Sequence, residues 1–176
     1  MPAERGTMLK LKYLFENFDL ARKCLAFYEY DEESLDEMLS YFRISSNAIY
    51  PFRSNKDRNN VCFLRLSPSD EKTFSSVIAE IHLIQWLNEQ GFSAMRPVAM
   101  KTEDFAREIH TEWGSFNVSC FAKVPGNSLE DIPCDLSIVK GYGQLLGRLH
   151  AKTKKYPDAA RLLVCTGHRP GTGCTG

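Results

Sequence analysis

Residues 61–80, VCFLRLSPSDEKTFSSVIAE, decide how this chain folds. The first six, VCFLRL, read as a buried strand carrying a single cation, Arg65. Side chains alternate along a strand, so Phe63 and Arg65 share one face and Cys62, Leu64 and Leu66 the other. Ser67 and Pro68 then read as the N-cap and first-turn proline of a helix over residues 71–90. Asp70 and Glu71 suit its positive end, and Gly91 ends it. Within that helix Glu80 has Val77 at −3, Leu83 at +3, Ile84 at +4 and Leu87 at +7. Those neighbours put a carboxylate on or beside the apolar stripe, where an unpaired charge is costly. Arg65 is the nearest partner in sequence. For this pair taken alone, a structural salt bridge at the core edge and a phosphate-positioning ion pair are both open readings.

Upstream, residues 9–42 are helical in pattern. Leu14, Phe18, Ala21, Leu25 and Tyr28 recur at alternating steps of four and three. Asp31 interrupts, and Ser34 followed by Leu35, Asp36 and Glu37 reads as an N-cap with an acidic first turn. Residues 41–44 and 48–53 read as strands with Ser45, Ser46 and Asn47 between them. The all-polar run SNKDRNN, 54–60, reads as a turn into the Arg65 strand. Downstream, residues 95–100 read as a short strand. Residues 105–112 and 116–123 flank Trp113, Gly114 and Ser115 as a second hairpin, and Pro125, Gly126 and Asn127 break the sheet. Residues 136–156 form a long helix with Ile138, Tyr142, Leu145, Leu146 and Leu149 on one stripe. Strands in the middle and helices at both ends make an α+β fold, with an antiparallel sheet of about five strands and one crossing helix.

The 176 residues allow one domain, or one lobe with an appendage. A hydrophobic share of 43% permits a packed core. Lys and Arg, 22 together, balance 22 Asp and Glu, which argues against a nucleic-acid binder or an anionic-membrane binder held by bulk charge. None of the six cysteines forms a C-x-x-C or sits at zinc spacing, and Cys62 and Cys120 fall inside strand-like runs. No apolar stretch is long enough to span a bilayer and no leader-like apolar run opens the chain, so the expected location is the cytoplasm. His150 reads as a packed or capping residue. His82 and His110 have no partner by spacing. The closing run VCTGHRPGTGCTG, 164–176, has no periodicity and is expected to be disordered. Its Gly171-x-Gly173-x-x-Gly176 is not a dinucleotide fingerprint, because that motif follows a strand and opens a helix.

The order of these motifs resembles the amino-terminal lobe of the aminoglycoside phosphotransferase and choline-kinase-like family. The matching segments are RISSNAIYPF (43–52), FLRLSPSDEKTF (63–74), AEIHLIQWL (79–87), RPV (96–98), FNVSCFAKVPG (116–126) and YGQLLGRLHAKTKKY (142–156). The resemblance implies a lobe that binds ATP. Ser45, Ser46 and Asn47 would form the loop over the phosphates. Arg65 would stand where the family has a strand lysine, with Glu80 as its helix partner. Phe63 would lie over the adenine, and Cys120, Phe121, Ala122 and Lys123 would be the hinge whose backbone bonds the adenine edge. Arg in place of Lys changes a point charge into a planar fork, so the phosphate geometry need not be the same.

On this resemblance residues 1–40 are a helical segment, 41–126 the nucleotide-binding lobe, 127–163 a linker and the first helix of a second lobe, and 164–176 a tail. The reaction of a full-length relative would be γ-phosphoryl transfer to a small-molecule hydroxyl, with Mg²⁺ held by carboxylates. This chain contains no His-x-Asp-x-x-x-x-Asn and no Mg²⁺ ligands of that type. The expectation is a fragment that ends before its catalytic half and catalyses nothing alone. Its uncovered helix stripe is expected to drive self-association. The competing reading is a free-standing kinase-like module that binds or regulates a partner.

Overall fold

The structure, a computed structural model, describes residues 18–40, 43–54, 57–126, 133 and 135–157. Its centre is a five-stranded antiparallel sheet. In chain order the strands are β1 (Arg43–Ile44), β2 (Ala48–Ser54), β3 (Asp57–Pro68), β4 (Ala106–Thr111) and β5 (Gly114–Ala122). They lie in the spatial order β1-β2-β3-β5-β4, every pair antiparallel. Four α-helices are described: α1 (Asp19–Leu25), α2 (Leu35–Leu39), α3 (Phe74–Glu89) and α4 (Leu136–Thr153), with a 3₁₀ turn at Glu32–Ser34. This is the α+β arrangement expected, with α3 as the crossing helix between β3 and β4.

The two-residue period of the strands sorts the sheet into two unlike faces. Leu64 stands between Tyr50 on β2 and Cys120 on β5, and Leu66 between Ala48 and Val118. These six are fully buried and pack with Leu20, Ala21, Cys24 and Leu25 of α1 and with Tyr28. Full burial of a leucine contributes about 1.5–3 kcal/mol, so this layer is the main source of stability. On the opposite face Val77, Ile81 and Ile84, at steps of four and three along α3, pack on Ala106 and Phe121. Arg65 lies on this second face. The free thiols Cys24, Cys62 and Cys120 are all buried, and burial pushes Cys24 up to about 12.

Several boundaries differ from the sequence reading. Ser67 and Pro68 do not open a helix. They close β3, paired with Asn117 and Phe116. Pro68 lies beyond the last β2 pair, Ala48 with Leu66, so its missing N–H breaks no ladder bond. The helix begins at Phe74, after Thr73, whose Oγ1 accepts from the Ser76 amide at 3.2 Å. Its other end is as expected, with Gly91 at φ +71°.

The polar run 54–60 is mostly strand rather than turn. Ser54 pairs with Asp57, and backbone bonding alone extends the hairpin through polar residues. Residues 95–100 form no strand and make one isolated bridge, Pro97 with Phe121, whose two bonds run through Arg96 O and Val98 N. The helical run upstream is broken into α1, the 3₁₀ turn and α2. Asp31 N donates to Arg53 O at 2.9 Å, which pins the break to β2. Ser34 stands at the head of α2, yet its hydroxyl donates to Asp31 O at 2.9 Å instead of capping.

The second hairpin forms, but Gly114 and Ser115, expected in its turn, open β5 instead. Thr111 pairs with Gly114, and Gly114 has φ +116°, which favours glycine. Asp135 caps α4 by accepting from the amides of Ser137 at 2.8 Å and Ile138 at 3.0 Å. No side chain of α4 is fully buried, and Leu136 is 87% exposed. The helix meets the lobe at its far end. Tyr156 packs edge-on against Trp86 at 5.3 Å between ring centroids, and Lys152 Nζ donates to Gln90 O. Leu14, Tyr41, Asn127, Cys134, Cys165, His168, Cys174 and the whole tail 164–176 lie outside the described residues.

Candidate functional site

Arg65 sits mid-strand in β3, with Ile49 beside it on β2 and Ser119 on β5. Its side chain is buried under α3 and engaged on three sides. Nε donates to Ser119 Oγ at 3.1 Å. Nη1 donates to Glu80 Oε1 at 2.9 Å, and Nη2 to Glu80 Oε2 at 3.0 Å. That is a two-pronged guanidinium–carboxylate pair, the stronger kind because both prongs are charge-assisted. The guanidinium also lies 4.8 Å from the centroid of the Phe121 ring. The seventh residue of α3, Glu80, takes a second cation, since Lys72 Nζ donates to Oε2. Burial pushes the Glu80 carboxyl up, but the hydrogen bonds and charges of Arg65 and Lys72 outweigh it and hold the group below its ordinary range.

The Ser45–Asn47 loop joins β1 to β2 at the edge of this face. Ser45 N donates to Asn47 O at 2.9 Å, which closes a tight turn. Ser45 and Ser46 are exposed and Asn47 is half-buried. Asn47 Nδ2 donates to Ser46 Oγ at 3.3 Å. Asn47 Oδ1 accepts from the buried Ser67 hydroxyl at 2.6 Å. Ser67 is two residues beyond Arg65 on the same face, so the loop is tied to the strand that carries the cation. Phe63, two residues before Arg65, is half-buried on that face opposite Phe121.

The stretch expected to be a hinge is partly consumed by the sheet. Cys120 O accepts from Val98 N, and Ala122 N donates to Arg96 O, both at 2.9 Å. Lys123 N donates to Val61 O at 2.8 Å, and Phe121 faces Phe63 in the ladder. The amide of Val124 is the first beyond these bonds.

Sequence reasoning missed four residues of the site. Ser67 fits the rule for a helix cap, yet the two-residue period puts it on the Arg65 face, and it lies within β3, paired with Asn117. Ser119 was assigned no role, and its register against Arg65 is a tertiary fact. Lys72 lies in the β3–α3 connection, where no periodicity aims a side chain. Asn117, fully buried on β5, donates to Lys72 O at 2.6 Å. Elsewhere His110, with no partner by spacing, meets Ser115 Oγ across the hairpin at 2.7 Å. His82 and His150 are exposed. Among the described residues no group of three or more His, Cys, Asp or Glu is placed to hold a metal ion. No helix among them is long and apolar enough to cross a membrane.

Two solved structures share this architecture. One is an amicoumacin kinase in complex with AMP-PNP, Ca²⁺ and Ami, with a TM-score of 0.70 at 19% identity over 84% of this chain. The other is a microcompartment-associated aminopropanol kinase, with a TM-score of 0.62 at 15% identity over 80% of this chain. At these identities the likeness is one of fold. The chain has the kinase-like amino-terminal-lobe fold, and it spans 42% of the length of each of these two kinases. No family model matches the sequence, and no curated protein matches it.

Proposed function

We propose that this chain is the ATP-binding lobe of a cytoplasmic kinase that phosphorylates a hydroxyl group of a small molecule. The observation that carries the reading is the Arg65–Glu80 pair, built on the face of β3 whose end is tied to the Ser45–Asn47 loop. The two kinases named above act on small molecules, and one was solved with AMP-PNP.

The residues present fit a triphosphate. A fixed guanidinium, a polar loop with hydroxyl and backbone donors, and a half-buried aromatic lie on one side of the sheet. ATP, when bound, supplies the γ-phosphoryl group. Arg65 holds the phosphates, with Glu80 fixing its orientation. Ser45, Ser46 and Asn47 close over them, and Phe63 covers the base. The backbone groups of the Cys120–Lys123 stretch that the sheet leaves unused would meet the adenine edge. The donor set does not fit Mg²⁺. The carboxylate at the guanidinium, Glu80, is already committed to two cations. The reading is nucleotide binding without phosphate transfer by these residues alone, because orienting an acceptor hydroxyl calls for an aspartate and the sequence has no His-x-Asp-x-x-x-x-Asn motif to supply it.

Calorimetric titration with ATP tests the reading. The expected result is saturable binding, weakened about tenfold or more by Arg65→Met, with no phosphate release. Absence of binding at millimolar ATP would overturn it and favour a kinase-like module that binds a partner. Phosphate transfer by the chain alone would show that the catalytic residues had been misplaced.

A further inference from the structure

We propose that Lys72 is a second phosphate-binding cation of this site, held by Glu80 until a polyphosphate takes its place. The inference rests on the nucleotide-binding reading above and concerns a residue that neither the sequence motifs nor the family resemblance singled out. Arg65 is poorly placed to move. Its side chain is 11% exposed, and one N–H on each of its three nitrogens is bound, to Ser119 and to both oxygens of Glu80. It orients the site more than it follows a ligand.

Lys72 has the opposite character. Its side chain is 32% exposed and touches only one oxygen of the carboxylate that Arg65 already satisfies. Its stem is flexible, and an ammonium tolerates any direction of approach. Its base, in contrast, is fixed twice. Lys72 N donates to Pro68 O at 3.1 Å, and Lys72 O accepts from Asn117 Nδ2 at 2.6 Å. Asn117 is fully buried, so β5 pins the backbone from below. A pinned backbone with a partly exposed charged tip suits a residue that exchanges partners. Two cations share one carboxylate here, which leaves one net positive charge in the cluster. A polyphosphate offers Lys72 a stronger partner than the carboxylate it shares. Once Lys72 leaves, Glu80 still keeps both prongs of Arg65.

The experiment is calorimetric titration of the full chain and of Lys72→Met and Lys72→Arg with ATP, AMP and inorganic tripolyphosphate. Thermal melts of all three proteins accompany it. Lys72→Met is expected to weaken ATP and tripolyphosphate about tenfold or more and AMP about threefold or less, with the melting temperature nearly unchanged. Lys72→Arg is expected to restore most of the loss. Equal ATP affinity for Lys72→Met and the unchanged chain would overturn this inference and leave the nucleotide reading standing. An equal loss for ATP and AMP with a lowered melting temperature would overturn it too, because that pattern marks a purely structural salt bridge. If the unchanged chain bound neither ATP nor tripolyphosphate, the nucleotide reading would fall and this inference with it.

Discussion

Replacing Glu80 by Gln removes a charge and keeps the shape. The amide oxygen can still accept one N–H of Arg65, while the amide nitrogen faces the other prong. One charge-assisted bond is therefore lost outright, and the second keeps its charged donor but loses its charged acceptor. A hydrogen bond to a charged group contributes about 1.5–3 kcal/mol, and stranding one member of a fully buried pair costs about 3–5 kcal/mol. Glu80 keeps 28% of its side chain exposed and Lys72 32%, so water recovers part of that loss. The expected cost is ~2–3 kcal/mol, or a fall of about 4–12 °C in melting temperature for a domain of this size. Urea unfolding followed by far-ultraviolet circular dichroism measures it, with an unchanged m-value showing that the denatured state is the same. The double variant Arg65→Met/Glu80→Leu is expected to be more stable than Glu80→Gln alone, because paired apolar groups strand no charge. A Glu80→Gln cost under about 0.5 kcal/mol would refute the reasoning, since it would make the pair no more than a surface contact.

Acid tests the same carboxylate. Its folded pKa is lowered from the ordinary 4.5, so its stabilisation is present above that pH and is lost as pH falls through the lower folded value; urea midpoints of the unchanged chain and Glu80→Gln should converge there. Thr73→Ala removes the cap that accepts from Ser76 N and should cost about 1 kcal/mol in the same assay. The exposed stripe of α4 (Val139, Tyr142, Leu145 and Leu146) should drive self-association, seen by sedimentation at tens of micromolar and reduced by Leu145→Lys. A clean monomer under those conditions would count against it.

The parts of the site legible in the sequence are those that obey a period. Arg65 and Glu80 were found because strand and helix periodicities aim each side chain independently, and an apolar neighbourhood demands that the two charges meet. The unlike faces of β3 followed from the same alternation. Capping and connections were not legible. Ser67-Pro68 satisfies the rules for a helix start, and only the register of β5 against β3 shows that the strand continues through both residues. Lys72 and Asn117 meet through a side chain reaching a backbone carbonyl 45 positions away, which no local pattern encodes. Nor was it legible that residues 96–98 bond the backbone of Cys120 and Ala122 within the expected hinge.

The edge-on contact between Trp86 and Tyr156 also has a spectroscopic consequence. The chain has two tryptophans, and the other, Trp113, is 40% exposed at the tip of the β4–β5 hairpin. In a Trp113→Phe chain all indole emission comes from Trp86. That ring belongs to α3 but touches the segment just past α4. Undocking of the long helix would hydrate the indole and red-shift its emission while the sheet's circular dichroism held constant. A single optical signal would then separate release of α4 from unfolding of the lobe.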